Sequence, residues 1–400
     1  MADKKSLSLG QAEAEARGNL PQSNRYNHVV RLAQAIFGMP IAALNLIGNE
    51  AQYTISAVGF PLGSIPVEES VCRITVQHEG VMEVSDLRED DRFAGISAVV
   101  KTPKIRYYAG VPVKGQSGQY IGALCVIDLA PRKLGKQQLE MLSDLGALLE
   151  RELATQEEMD LAGRVQQHMV PSEPPAINGV EIAGRVQPAR EAGGDYLDWF
   201  VVEPVVNNVT QPPRLEIVLG DVMGKGLAAS LIASEVRAVL RGHSQYTDVG
   251  DAVARTSTTA RRDLEANARF TTLWVAQLDP ATGHMDYVDA GHGLAMIVSE
   301  RGSRRLFQNY LPLGMPIDDD WIMASDVMEE DELLLVCSDG VFDVLDDDFN
   351  KVEKHLKYVL DPALSCQEIV DMIVAFAVQN GASDDVTAMA VRRTGETAKS

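Results

Sequence analysis

Four short acidic motifs in the second half of the chain have the residue types and spacing to do chemistry. They read Glu191-Ala-Gly-Gly-Asp195, Gly220-Asp221-Val-Met-Gly224, Ser338-Asp339-Gly340 and Ser383-Asp384-Asp385. Each sets an aspartate beside glycine, serine or another carboxylate, next to an apolar run where a strand should end and a loop begin. Hard divalent ions such as Mg²⁺ and Mn²⁺ take oxygen ligands and keep several waters. Carboxylates gathered from several strand ends are what a pair of such ions needs. Two ions about 3.5–4 Å apart can hold a water and a phosphate for in-line attack. The same carboxylates repel one another unless cations neutralise them, so without metal they should bind protons or lose local order. The motifs thus predict a metal-dependent phosphatase centre.

Elements must bring these aspartates together. Leu215–Leu219 reads as a buried strand feeding Asp221, and Leu333–Cys337 as another feeding Asp339. Val386–Val391 is a closing strand after Asp384. Thr271–Leu278 and Met285–Asp289 read as a hairpin around Asp279-Pro-Ala-Thr-Gly283, with helices at Gly226–Gly242 and Cys366–Val378. Strand-rich stretches around helical ones predict two sheets sandwiched between helices. The acidic clusters Asp318–Asp320, Glu329–Glu332 and Asp346–Asp348 are expected to be solvated loops.

The first half has a different pattern. After a polar leader at residues 1–21, an amphipathic helix is expected from about Arg25 to Phe37, stopped by Gly38-Met-Pro40. Strands are expected at Ile41–Ile47, Gln52–Ala57, Val81–Val84, Tyr107–Val113 and Ile121–Ile127. This is an α+β unit, an antiparallel sheet flanked by its first and last helices. The last helix starts near Gly135 and meets no proline until Pro171. Leu142, Leu145, Leu149 and Leu153, then Leu161, Val165 and Met169, recur at helical spacing. That broken seam suits either a dimerising coiled coil, the favoured reading, or one amphipathic helix packed on its own domains.

Composition bounds the rest. The 400 residues are 46% hydrophobic and 23% charged, enough for two or three packed domains. A net charge of −21 argues against nucleic acid or an anionic membrane as partner. Cys72, Cys125, Cys337 and Cys366 form no CxxC pair, and Cys125 and Cys337 sit in apolar runs, as buried reduced thiols do. Reduced thiols, the missing apolar signal core and the lack of a long apolar stretch predict a cytoplasmic protein without a membrane span.

In order along the chain, the motifs carry a family resemblance. Val165-Gln-Gln-His-Met-Val-Pro, Pro188-Ala-Arg-Glu-Ala-Gly-Gly-Asp-Tyr-Leu-Asp198, Gly220-Asp-Val-Met-Gly-Lys-Gly226, Asn267-Ala-Arg-Phe-Thr-Thr272, Asp289-Ala-Gly-His-Gly293, Ser338-Asp-Gly340 and Gly381-Ala-Ser-Asp-Asp-Val-Thr387 resemble the PPM phosphatase domain of the bacterial SpoIIE and RsbU type. Asp86-Leu-Arg-Glu-Asp-Asp-Arg-Phe93 and Tyr107-Tyr-Ala-Gly-Val-Pro-Val113 leading to Gly122-Ala-Leu-Cys-Val-Ile-Asp128 resemble a GAF sensor domain. The resemblance implies a GAF domain at 22–150, a linker helix at 136–170 and a PPM domain at 171–395 with an αββα sandwich.

It also implies roles. Two Mn²⁺ or Mg²⁺ ions would be contacted or bridged by Asp195 and Asp221, with the backbone carbonyl of Val222, and completed by Asp339 and Asp384. These four aspartates would be the catalytic set, hydrolysing phosphoserine or phosphothreonine without a covalent phosphoenzyme, and no organic cofactor is expected. Asp385 would cap the next segment or orient a water, and Glu191 and Asp198 would support the site. His292 would donate a proton to the leaving group or make a structural hydrogen bond. Arg190 stands near where eukaryotic members hold phosphate with an arginine, and Leu197 replaces a frequent tyrosine. The implied substrate is a phosphorylated STAS-type anti-sigma-factor antagonist, the implied assembly a homodimer through the linker helix and GAF domain. A small ligand on the GAF domain is a further option; a bilin on Cys72 or a cyclic nucleotide fits its motifs poorly. A non-catalytic scaffold would lack a metal carboxylate, and a small-molecule phosphoesterase would differ in substrate alone.

Overall fold

The computed structural model describes residues 26–394 apart from 116–117, 204, 207–208, 211, 316–320, 331, 345–360 and 362. The leader 1–21 and the clusters Asp318–Asp320 and Asp346–Asp348 lie outside the described residues. The chain divides into two compact units, Met1–Glu158 and Met159–Ser400.

In the first unit, α1 (Asn27–Phe37) buries Val29, Val30, Ala33 and Phe37 and ends where Gly38 turns left-handed at φ 58°. A six-stranded antiparallel sheet follows, ordered β3-β2-β1-β6-β5-β4. Its strands are β1 (Ile41–Ile47), β2 (Ala51–Val58), β3 (Gly63–Pro66), β4 (Met82–Val84), β5 (Tyr107–Lys114) and β6 (Tyr120–Asp128). Three short helical pieces complete the unit: a 3₁₀ turn, α2 (Cys72–Thr75) and α3 (Ser97–Val100). The central β1 and β5 are covered on both faces and read as continuous apolar runs, whereas β2 alternates. The long helix α4 (Lys136–Gln167) starts in this unit.

The first and last helices both flank the sheet, on the same face. Residues of α1 and the α4 leucines share one core with Ala42, Leu44, Tyr107, Val111 and Leu124 on a single face. The opposite face is covered by the segment holding α2 and α3, through Val71, Leu87, Phe93 and Val99. The same core absorbs Leu142, Leu145, Leu149 and Leu153, so this half of the seam packs on its own unit, not on a partner helix. Leu161 and Val165 remain about half exposed, at 51% and 48%.

The second unit holds two five-stranded antiparallel sheets. Its strands are β7 (Val180–Gln187), β8 (Asp195–Val202), β9 (Val205–Val206), β10 (Val209–Thr210), β11 (Arg214–Val222), β12 (Thr271–Leu278), β13 (His284–Ala290), β14 (Ala295–Ser299), β15 (Gly302–Arg305), β16 (Ala324–Val327), β17 (Leu333–Cys337) and β18 (Val386–Arg393). The helices are α5 (Leu227–Ser244), α6 (Val249–Ala266), α7 (Asp339–Asp343) and α8 (Cys366–Gln379). The sheets run β16-β13-β12-β11-β8 and β15-β14-β17-β18-β7, with β9 and β10 a separate ribbon.

Three cores give the layers. Leu197, Ile217, Trp274 and Ala276 of one sheet interleave with Ile297, Leu334, Val336 and Met389 of the other. The outer face of the first sheet packs on α5 and α6 through Ala233, Val236, Val253 and Leu264. The outer face of the second packs on α7 and α8 through Phe342, Ile369, Val370 and Val374. This is the expected sandwich of two sheets between helices. Helix α6 was not anticipated: its Thr- and Arg-rich sequence hides the buried stripe Val249, Ala252, Val253, Thr256, Ala260 and Leu264. The Glu329–Glu332 cluster is not wholly solvated either. Glu332 is buried and pairs with Arg304 at 2.5 Å.

Candidate metal centre

The four motifs meet at one end of the sandwich, though not all at strand ends. Asp195 opens β8, Asp221 lies at the end of β11, Asp339 opens α7 after β17, and Asp384 precedes β18. Antiparallel pairing resolves this. β8 runs against β11, so the start of one lies beside the end of the other, and Asp195 stands directly across from Asp221. β17 and β18 are related in the same way. There Ser338 ties the ends together: its N–H donates to the Thr387 carbonyl at 2.9 Å, and its Oγ accepts from Thr387 N–H at 2.8 Å.

Electrostatics follow from this placement. Asp195 is 1% exposed, and burial, with the Asp221 charge next, pushes its carboxyl well above the usual range. Thr387 Oγ1 donates to Asp195 Oδ2 at 2.6 Å. Asp221 is pushed up to about 7 by burial first, then by the charges of Asp339, Asp384 and Asp385. Asp195 and Asp221 therefore register the carboxylates around them and favour protons or cations. Lys225 reaches Asp384 Oδ2 at 3.0 Å and also donates to the Ser383 carbonyl at 2.7 Å. Val222 is fully buried, and its N–H donates to the Gly194 carbonyl at 3.2 Å. Among the described residues, no three His, Cys, Asp or Glu side chains are drawn tightly enough to hold an ion as they stand. The donor chemistry nonetheless suits Mn²⁺ or Mg²⁺: hard oxygens, crowded, buried and electrostatically underneutralised.

The adjacent aspartates have separate surroundings. Asp385 is 3% exposed; its Oδ1 accepts from Ala189 N–H at 2.7 Å and its Oδ2 from Gly194 N–H at 2.6 Å. It clamps the loop that delivers Asp195. Gly193 is required there, because a Cβ would overlap the Asp385 carboxylate. Asp384 is more open, its side chain 37% exposed, and its Oδ1 accepts from Asp385 N–H at 2.8 Å.

Other candidates have placements of their own. Asp198 lies within β8 and pairs with Arg237 at 3.1 Å and Arg241 at 3.0 Å on α5. Leu197 packs between the sheets, and Arg190 is exposed on the clamped loop. Burial lowers the His292 imidazole to about 4, so it is neutral near pH 7, and its buried Nε2 has no hydrogen-bond partner among the described residues.

Sequence reasoning missed the contribution of Gln166 near the end of α4. Its Nε2 donates to the Gly193 carbonyl at 2.8 Å, and its Oε1 accepts from Gly193 N–H at 3.0 Å. One turn earlier, Gly163 lies so close to the Glu191 carbonyl that a Cβ would overlap it. The Val165-Gln-Gln-His motif carried that signal without revealing its contact. Lys225 and Arg269, whose guanidinium bonds the Met223 carbonyl, were also missed.

Residues 211–394 match the family described as Stage II sporulation protein E (SpoIIE). Over 197 residues the chain is 27% identical to phosphoserine phosphatase RsbP of Bacillus subtilis, covering 48% of this chain and 46% of that protein. Over 125 residues it is 31% identical to cyclic di-GMP phosphodiesterase PA2567 of Pseudomonas aeruginosa, covering 31% of this chain and 21% of that protein. The solved RsbU and RsbW domains of Rv1364c from Mycobacterium tuberculosis overlay 57% of this chain and 64% of that one, at 24% identity and a TM-score of 0.46. The chain thus spans between a fifth and a half of the length of these two curated relatives. The SpoIIE match falls within the second unit.

Proposed function

We propose that the chain is a metal-dependent serine/threonine phosphoprotein phosphatase controlled by an N-terminal GAF-type sensor. The proposed layout is GAF at 22–150, linker helix at 136–170 and phosphatase domain at 171–395. The carrying observation is the set of aspartates around Asp221, crowded enough to push its carboxyl up to about 7. Asp195 and Asp221 would hold or bridge two ions with the Val222 carbonyl, and Asp339 and Asp384 would complete the shell. Bound Mn²⁺ or Mg²⁺ supplies Lewis acidity, lowering the pKa of a water and neutralising phosphoryl charge.

The chain's own residues prepare that site. Thr387 Oγ1 holds Asp195 Oδ2 in place. Asp385 fixes the loop before Asp195 through two backbone N–H groups. Gln166 grips the same loop from α4, so a displacement of this helix would move Asp195. That grip is the basis for regulation through the linker.

The substrate we infer is a phosphorylated STAS-type anti-sigma-factor antagonist in the cytoplasm, handled by a homodimer joined through the linker helix and GAF domain. Met141, Leu148, Leu161 and Val165, exposed on α4, are helix residues available for pairing. Among the described residues no helix is long and apolar enough to cross a membrane. With Mn²⁺ present, the full chain should release phosphate from a phosphoserine STAS protein and leave phosphorylated sugars and nucleotides nearly untouched. Faster turnover of the metabolites would make it a small-molecule phosphoesterase. Tight Mn²⁺ binding without turnover of either class would make it a scaffold.

A further inference from the structure

The four cysteines are all buried and reduced, yet two of them have surroundings that the other two lack. Burial pushes Cys337 and Cys366 up to about 12, as expected of inert core thiols. Cys72, which opens α2, and Cys125, within β6, instead share a polar island in the core of the first unit. Asn45 Nδ2 donates to Cys72 Sγ at 3.3 Å and to Cys125 Sγ at 3.4 Å, so one amide spans both sulfurs. Thr54 Oγ1 donates to Asn45 Oδ1 at 2.7 Å and thereby turns the NH₂ end toward the sulfurs. The Tyr108 hydroxyl donates to Cys72 Sγ at 3.3 Å, with Thr75 Oγ1 behind it at 2.7 Å. Gly110 makes this possible, because the Tyr108 ring lies where a Cβ would stand. The neighbouring Cys125 is the largest influence holding Cys72 below an ordinary thiol, with Tyr108 and Asn45 adding to it; burial opposes them.

A purely structural polar network would need no access. Here a cavity of about 50 Å³ reaches Cys72, lined also by Asn45, Gln52, Glu69 and Tyr108. One water needs roughly 10–15 Å³ by this measure, so a molecule of peroxide size fits.

We propose that Cys72 and Cys125 are an oxidation site, a thiol pair that a small hydroperoxide converts to an intramolecular disulfide. The Cys72 sulfur attacks one peroxide oxygen. The S–O bond forms, the O–O bond breaks, and the thiol proton leaves with the second oxygen as water or an alcohol. Cys125 sulfur then attacks the Cys72 sulfenic acid, the S–S bond forms, and its proton leaves with the hydroxyl as water. Two thiols lose two electrons in all, and the peroxide gains them. Asn45, bonded to both sulfurs, orients attacker and target.

The test treats the reduced full chain with hydrogen peroxide, alkylates the remaining thiols and maps the peptides by mass. The expected result is a dithiothreitol-reversible link between the Cys72 and Cys125 peptides, with Cys337 and Cys366 alkylated. In Cys125→Ser, a sulfenic-acid probe should label Cys72, whereas Cys72→Ser should take up none at residue 125. Wild-type mapping decides the matter even if a variant fails to fold. Alkylation of all four cysteines at doses that oxidise a free thiol would overturn the proposal. So would a link between any other pair, or irreversible oxidation of Cys72 without a link.

Discussion

Two aspartates on β8 are equally buried and have opposite fates. Asp195 and Asp198 are each 1% exposed, and burial raises both carboxyls. Asp198 faces two guanidinium groups from α5. Asp195 faces the Thr387 hydroxyl and the carboxylates of Asp221 and Asp385. Burial is therefore a poor mark of a functional carboxylate in this molecule. The informative property is whether the fold itself delivers the counter-charge. Where it does, the aspartate ties a helix to a sheet; where it does not, the site calls for a cation from solution.

The largest effect should come from breaking the uncompensated side. Asp221→Ala should lower Mn²⁺-dependent phosphatase activity by at least about a hundredfold. The same change should raise the melting temperature of metal-free protein, because it removes a crowded charge. A drop in that temperature would mean Asp221 is held by structure rather than awaiting metal.

Breaking the compensated side should do the reverse. Arg237→Met leaves Asp198 with one partner and should cost about 3 kcal/mol in urea unfolding, while folded protein keeps its activity. Activity lost in step with that of the Asp221 variant would erase the distinction.

Glu216 sharpens the comparison from within β11. It is fully buried, bonded by Ser244 Oγ at 2.6 Å, and burial pushes it from 4.5 up to about 7. The folded state then holds a proton that the unfolded state releases, so stability falls as pH rises from about 4.5 to 7. Glu216→Gln should flatten that slope, adding up to roughly 3 kcal/mol at pH 8 and little at pH 4. An unchanged slope in a pH series of melting curves would locate the linkage elsewhere.

The smallest effect belongs to Gln166→Ala. Loss of its bonds to Gly193 should cost about 1–2 kcal/mol of loop ordering and reduce turnover several-fold, with global unfolding nearly unchanged.

Much of this was legible in the residues. Asp221 and Asp339 follow apolar runs that can only be buried strands, and their order along the chain carries the family pattern. The clamp by Asp385 was not legible, because adjacent aspartates differ only in which backbone N–H groups reach them, and those come from the distant loop at Ala189 and Gly194. Gln166 is a similar case: a polar residue on a helix gives no sign of its partner. The leucine seam of α4 misled for another reason. Periodicity reports that a stripe is covered, and Leu142–Leu153 are covered by their own unit.

The most direct measurement is calorimetric titration of Mn²⁺ into metal-free wild type, Asp221→Asn and Asp339→Asn, at pH 6 and pH 8. The account predicts two ions per wild-type chain, tighter binding and less proton release at pH 8, since Asp221 sheds its proton near 7. It predicts binding severely weakened in both variants. Unchanged binding in Asp221→Asn, or no binding by wild type at either pH, would contradict the claim that these carboxylates await a cation.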